Sequence, residues 1–410
     1  MKTGYSKFML LWTGNLISQI GGGLTSFGLG VYIFEKTGSA AQMAIVTLLG
    51  FLPTLLLAVP AGVLADMYDR RVLMMIGDGF SAIGILYILI CMMAGEAKVL
   101  QICIGVCVSS VFSALLEPSY RSTITDLLTK EEYTKASGMV SVAGSARYLI
   151  SPIIAGLLLA VYDIRLLLII DICTFFLTVM TTAVVKRGIA VKKSSGSEGF
   201  MDNLKEGWNA VHRRKGVFKL ILISSCMTVF IGVIQVLCEP LVLSFADSKT
   251  LGIAETICAT GMLVTAIVIG IAGIKKNHVK VLVTSLAIAG VSMILFSLRE
   301  NTVFICASGF AFFAMLPLAN TSLDYLARTN IPKELQGRVW GFIGFLSQLG
   351  YIPAFALSGL LADKAAEIFN ISVGRGSAIV IFVSGILLVG TSLTTLQSKS
   401  IRKLETGNEL

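Results

Sequence analysis

Long apolar runs fill this chain, and short polar stretches interrupt them. A bilayer core takes about 20 apolar residues in helical form. Scanning at that length predicts twelve spanning helices, over residues 8–34, 41–65, 72–94, 98–118, 139–161, 166–186, 218–245, 252–274, 279–298, 302–322, 339–361 and 375–397. Glycines and prolines inside them, such as Gly21, Gly22, Gly23, Pro53, Pro60, Pro152 and Pro353, do not forbid helix, because neighbouring membrane helices satisfy the freed backbone groups. The expected fold is an all-α membrane protein. Its N-terminus, MKTGYSKFMLLW, runs straight into the first span and is expected to remain as a helix, not to leave as a signal peptide.

Composition agrees. Of 410 residues, 55% are hydrophobic and 14% charged, where a soluble domain carries about 25% charged residues. The net charge of +9 does not point to nucleic acid, because the bases lie in loops between apolar spans. Their distribution orients the chain. With the N-terminus inside, 25 of the 33 Lys and Arg fall on the inner side, seven on the outer side and one, Arg147, within a span. Both termini are then cytoplasmic. The eight cysteines lie inside apolar stretches and read as small buried hydrophobes. The two histidines sit in basic loops, so neither a metal site nor a cofactor is expected.

The longest polar stretch splits the spans six and six. It opens with the flexible GIAVKKSSGSEG, and then places Phe200, Leu204, Trp208 and Val211 at helical spacing among basic residues. That pattern suits a helix lying on the inner leaflet, or else a solvated tether. The predicted organisation is therefore a six-helix bundle at 1–186, a linker at 187–217, a second bundle at 218–398 and a tail at 399–410. The halves echo one another at an offset of 203, where Lys130, Glu131 and Gly138 meet Lys333, Glu334 and Gly341, and Gly156 and Leu157 meet Gly359 and Leu360. Two pseudo-symmetric bundles are what a rocking transporter needs.

Between the second and third spans stands GVLADMYDRR, residues 62–71. Its Gly62, Leu64, Asp66, Asp69, Arg70 and Arg71, in a chain with twelve spans and a 6+6 split, resemble the signature loop of the major facilitator superfamily. FEKTGSAAQMAIVTLLGFLP (34–53), the P-S-x-R-x-x-I-x-D-L region (118–127), LKEGWNAVHRRKGVF (204–218) and KELQGRVWGF (333–342) are similar to its macrolide-efflux and drug or siderophore exporter branch. The resemblance implies a monomer in a cell inner (plasma) membrane, working by alternating access on a small-molecule cargo, with protons as the partner ion. It also gives the loop a role. Gly62 lets another helix approach, and Asp66 can accept from the N-terminus of the eleventh helix, near Val339. Arg70 can hold Asp66. Gly62, Asp66, Asp69, Arg70 and Arg71 would then form a latch closing the inner side. The plainer alternative makes Arg70 and Arg71 topology anchors.

Ionisable groups inside spans are costly and mark candidate sites. Arg147 lies about two turns into span five, with Glu117, Asp78 and Asp171 as candidate partners in a buried ion pair. Asp171 and Glu239 are the candidate proton carriers, the alternatives being a structural role packing helix six for Asp171 and a solvated rim acid for Glu239. Glu255 is either a rim acid or a further candidate. Asn15 and Gln19 share one face of span one, and Gln235 occupies the matching place in span seven. All three are candidates to bind cargo, or else hydrogen bonds between helices. SPIIAG (151–156) only partly resembles the antiporter motif of span five, and VCVSSVFSALLEP lacks the arginine that many drug/proton antiporters carry in span four.

The expected function is therefore a secondary active exporter of amphiphilic, macrolide-like small molecules driven by proton antiport. The alternatives are a siderophore, peptide or lysophospholipid cargo, or a non-transporting sensor on the same fold. No G-x-x-x-x-G-K-[ST] loop points to ATP drive, and no nucleophile–base constellation points to an enzyme.

Overall fold

In a computed structural model of the chain, the described residues are 2–129, 132–186, 215–274, 276–331 and 343–405. Among them, twelve helices are long and apolar enough to cross a membrane. They are α1 (Gly4–Thr37), α2 (Ala40–Met67), α3 (Arg70–Met93), α4 (Val99–Leu127), α5 (Lys135–Leu159) and α6 (Ile164–Lys186). They continue as α7 (Gly216–Leu243), α8 (Ser248–Ala272), α9 (His278–Leu298), α10 (Thr302–Asn330), α11 (Ile343–Phe369) and α12 (Val373–Gln397). A short α13 (Lys399–Glu405) follows. The predicted interfacial helix at 200–211 and the KELQGRVWGF stretch lie outside the described residues.

Polar caps define several starts. Asp69, Asp247, Asn301 and Ser372 each accept from a backbone N–H in the first turn of the helix they precede. Each satisfies a donor that the helix cannot satisfy internally. Two helices outrun their apolar runs. α4 breaks near Ala114 and resumes as the polar Leu116–Leu127, which buries Ser119, Tyr120, Thr123 and Ile124 and turns Glu117 and Arg121 outward. α10 likewise continues past its apolar stretch, and the Asn330 amide donates to the Leu404 carbonyl of α13 at 3.0 Å.

The chain divides into two compact units. The first is Met1–Thr37 with Ile45–Ser197, and the second is Gly38–Ala44 with Glu198–Leu410. The opening turn of α2 thus belongs with the second unit, a subtlety that a linear split at the linker does not contain. Within the first unit, α1 packs on α5 and α6, and α3 packs on α4 and α6. Within the second, α7 packs on α11 and α12, and α9 packs on α10 and α12. Adding six to each helix number of the first set gives these pairs of the second, although α8 also packs closely on α10 with no matching contact of that extent between α2 and α4. The shared pairs are the internal repeat expressed as packing, and the fold is a pair of pseudo-symmetric six-helix bundles.

Large apolar side chains cover the outside: Ile271 is 84% exposed, Val303 77%, Val161 75% and Ile368 75%. In water such a surface would aggregate. Here it faces lipid, and the chain is a multi-pass membrane protein. Helix association then depends on close van der Waals fit and small residues. Gly290 of α9 and Gly385 of α12 show this: a Cβ on either would lie 2.8 Å from the other's carbonyl oxygen.

Candidate functional site

Three polar clusters lie inside or at the ends of the helices. The first is the GVLADMYDRR turn. Asp69 caps α3, accepting from the Arg71 N–H at 3.0 Å, so its carboxylate is committed to the helix start. Arg70 reaches Asp126 of α4 at 2.8 Å and Asp66 at 3.8 Å. It also donates to the carbonyls of Ala65 and Ser122, each at 3.2 Å. Arg71 is buried and pairs with the other Asp126 oxygen at 3.8 Å, while its Nε and Nη1 have no partner. The turn is therefore strutted onto α4 through Asp126. Asp126 stands in the I-x-D-L stretch quoted above, but chain order alone gave no reason to pair it with Arg70. Beside this strut, Phe8, Met74, Tyr120, Ile124, Leu128, Ala136 and Val185 form one buried cluster.

Asp66 is exposed, and a Cβ at Gly62 would meet nothing within 4 Å. The helix approach expected at Gly62 is thus not formed among the described residues. Its expected partner near Val339 lies outside them.

The second cluster runs along α6. Asp171, Thr174, Thr178 and Thr182 recur at helical spacing on one face, and all are buried. α1 covers that face with glycines spaced seven apart. A Cβ at Gly21 would sit 2.5 Å from Thr174 Oγ1 and 2.9 Å from Asp171 Oδ1, and one at Gly14 would sit 2.7 Å from Thr181 Oγ1. Gly28 is pressed against Leu167 and Ile164 in the same way. The Gly14–Gly21–Gly28 seam therefore seats α1 on the acid-bearing face. Its spacing is visible in the sequence, but the face it covers is not.

Asp171 shares a long hydrogen bond of 3.4 Å with the Thr174 hydroxyl. The Thr25 hydroxyl lies within reach of it, yet is buried without closing a hydrogen bond. Asp78 of α3 is buried beside Thr178, whose hydroxyl donates instead to the Phe175 carbonyl at 2.8 Å. Thr178 lies two turns from Asp171, roughly 10 Å along the helix. Asp78, from α3, and Asp171, from α6, feel each other's charge across the contact between these helices.

Arg147 belongs to this cluster by its charge, which acts on Asp171. Its side chain is exposed, which corrects the expectation of a buried ion pair. Glu117 is not its partner: that carboxylate pairs with Arg121 one turn along α4 at 2.7 Å, and both are exposed. The four-residue spacing puts Glu117 and Arg121 on one face of the same helix, where they pair with each other. α5 bends next to Arg147, ending its first segment at Leu149 and restarting at Ser151, whose hydroxyl donates to the Ile20 carbonyl of α1 at 3.0 Å.

The third cluster is in the second unit. Glu239 of α7, just before Pro240, and Glu255 of α8 interact electrostatically. Glu239 is half-buried, and its Oε2 is sealed from solvent with no hydrogen-bond partner. Gln235, one turn earlier, is half-buried. In the first unit, Asn15 and Gln19 are also half-buried. Asn15 lies near the Tyr120 hydroxyl, which closes no hydrogen bond of its own. All eight cysteines are free.

Residues 11–355 match the sequence profile of the Major Facilitator Superfamily. Macrolide efflux protein A of Streptococcus pyogenes is 25% identical over 410 residues, covering 97% of each chain. The staphyloferrin A transporter of Staphylococcus aureus (strain NCTC 8325 / PS 47) is 24% identical, over 90% of this chain and 89% of that one. The multidrug efflux pump Tap of Mycolicibacterium fortuitum is 22% identical, over 88% and 91%. Among solved structures, the nucleoside transporter NupG superposes with a TM-score of 0.74 at 14% identity, covering 96% of this chain and all of the other. A bacterial homologue of the iron transporter ferroportin, solved in its inward-facing state, gives 0.72 at 14% identity, covering 95% and 99%. These likenesses extend the fold and carry no cargo with them.

Proposed function

Because the chain belongs to the major facilitator superfamily, a family of transporters and not of enzymes, we propose that it is a secondary active exporter of amphiphilic, macrolide-like small molecules, driven by proton antiport. The observation that carries the export reading is the end-to-end likeness to macrolide efflux protein A, which spans 97% of both chains. The relative named a multidrug efflux pump supports it from a second direction.

The drive is assigned to Asp171. A carboxylate inside a membrane bundle is expensive unless it is paired, protonated or wetted. Asp171 has the means for two states. Protonated, it can donate within the Thr25–Thr174 pocket, where one hydroxyl lacks a partner. Ionised, it is supported by the Arg147 charge. An acid with two such environments can take a proton on one side and release it on the other. Asp78 of α3, beside Thr178 two turns along α6, is a second station on that route. Glu239 and Glu255 form the corresponding candidate pair in the second unit.

The cycle is one of alternating access, with both termini cytoplasmic, as the Lys and Arg bias indicates. Asp66 and Gly62 are read as the inner latch, and Asn15, Gln19 and Gln235 as polar contacts for cargo in an otherwise apolar path. A second reading gives the chain a cargo of the staphyloferrin A kind, favoured by the relative named for its transport.

Intact cells test export. Expression of the chain should lower accumulation of a macrolide or a cationic dye, and a protonophore should abolish the difference. Unchanged accumulation across a panel that includes chelators, with the protein correctly inserted, would overturn the reading.

A further inference from the structure

The pentapeptide of the signature loop occurs twice. GVLAD is residues 62–66, near the end of α2, and GLLAD is residues 359–363, in α11. The matched alanines, Ala65 and Ala362, are both buried. The two copies share the features that the latch argument uses: a glycine for close approach and an acid one turn later on the same face.

The second copy is engaged. Asp363 Oδ1 accepts from the Ala40 N–H at 2.9 Å, and its Oδ2 accepts from the Ala41 N–H at 3.1 Å and from the Ser39 hydroxyl at 2.6 Å. Ser39 Oγ in turn accepts from the Gln42 N–H at 3.2 Å. The first turn of α2 thus has its free donors gathered by one carboxylate and one hydroxyl, at the end of the helix where its dipole favours an anion. Gly359 is what lets α11 come so close: a Cβ there would lie 2.7 Å from the Ala40 carbonyl carbon and 2.8 Å from the Ala41 Cα. Around Gly62, by contrast, no described residue comes within 4 Å of the corresponding position.

We propose that Gly359 and Asp363 form a releasable clasp on the N-terminus of α2, the counterpart of the GVLAD segment at the opposite end of that helix. The α11 copy places its carboxylate on the N-terminus of α2, whereas the α2 copy leaves Asp66 exposed, with the partner expected for it near Val339 outside the described residues. The outer clasp is closed here. Its opening leaves two N–H groups of α2 and the Ser39 hydroxyl to water, which can solvate them at a helix end, so the contact is strong enough to bias a state and weak enough to be released. Alternation between the ends follows: tightening one clasp accompanies loosening the other. The purpose given to the clasp rests on the transporter reading, but its geometry does not.

Hydrogen exchange on the full chain in lipid nanodiscs tests this without any cargo, so its failure leaves the export reading standing. The variants are Asp363→Ala, which removes the acceptor, and Gly359→Leu, which keeps the acceptor and wedges the helices apart. Asp363→Asn serves as a milder change should either fail to give monodisperse protein. The clasp predicts that exchange across 38–44 rises about fivefold or more, as loss of a cap and its dipole partner implies. It also predicts that exchange across 62–71, at the far end of α2, falls. A rise confined to 38–44 would reduce Asp363 to a local cap and overturn the proposal, as would no change at either end.

Discussion

The Arg70 guanidinium meets Asp126 at 2.8 Å and Asp66 at 3.8 Å, so the nearer acid comes from α4 and not from the signature loop itself. Asp126 also faces Arg71, which is buried and has two unpartnered nitrogens. The two arginines are thus held by one carboxylate, and Asp66 is left exposed. The strut therefore rests on Asp126 of α4, and the switching role proposed for the turn is left to Asp66.

This separation predicts opposite phenotypes. Asp126→Ala strands a buried guanidinium and should cost about 1–3 kcal/mol, below the full cost of breaking a buried pair because Asp126 is itself partly exposed. Asp66→Asn should change stability by no more than about 0.5 kcal/mol, as surface substitutions do, yet impair transport. Thermal unfolding in detergent, set beside transport by the same preparations, separates the two. Equal loss of stability in both would remove the distinction.

The Gly14–Gly21–Gly28 seam predicts a position-specific effect. Gly21→Leu should destabilise by about 1–3 kcal/mol, the usual cost of overpacking, because its first added carbon already collides with Thr174 and Asp171. Gly22 is the internal control. A Cβ there meets nothing within 4 Å, so Gly22→Ala should be neutral or stabilising by up to about 1 kcal/mol through helix propensity. Thermal midpoints of the two variants check the contrast.

How much of this was legible beforehand follows from which forces act along the chain and which act across it. Span length and apolarity are local, so all twelve helices could be read from the runs. Where polar sequence continues a helix, as at Leu116–Leu127, hydropathy stopped short, because amphipathic packing and not lipid holds that segment. Arg147 was rightly singled out as a charge within a span. Glu117, one of its three candidate partners, pairs instead with Arg121 one turn along its own helix, a local i,i+4 contact that the sequence spacing already allowed. Asp363 was present in a quoted pentapeptide, but only the fold brings it to Ala40.

Asp247 gives a pH prediction outside the membrane. Its carboxylate caps α8, accepting from the Thr250 N–H at 2.8 Å, and these hydrogen bonds hold it below the ordinary carboxylate range. A depressed value stabilises the folded state above the unfolded pKa of about 3.9, and that contribution is lost as pH falls through the folded value. Asp247→Ala should therefore lower stability by about 1 kcal/mol near neutral pH, with the difference from the parent chain shrinking in acid. Unfolding midpoints measured across that range check the sign, and a gap that widens in acid would contradict it.

The proton assignment predicts a split between Asp171 and its neighbours. Asp171→Asn should fold, since an amide fits the Thr25–Thr174 pocket, but should uncouple transport from the proton gradient. Thr25→Val removes only the idle hydroxyl and should shift the pH dependence of transport without abolishing it. A pH profile of counterflow for each variant makes the comparison.

The central claim is that outward movement of cargo is exchanged for inward movement of protons through Asp171. Proteoliposomes holding a pH dye, presented with macrolides, cationic dyes and chelators, test it most directly. The expected result is a cargo-triggered pH change that Asp171→Asn abolishes while monodisperse protein remains. A cargo-triggered signal of undiminished size in Asp171→Asn, or cargo movement with no proton flux at all, would contradict it.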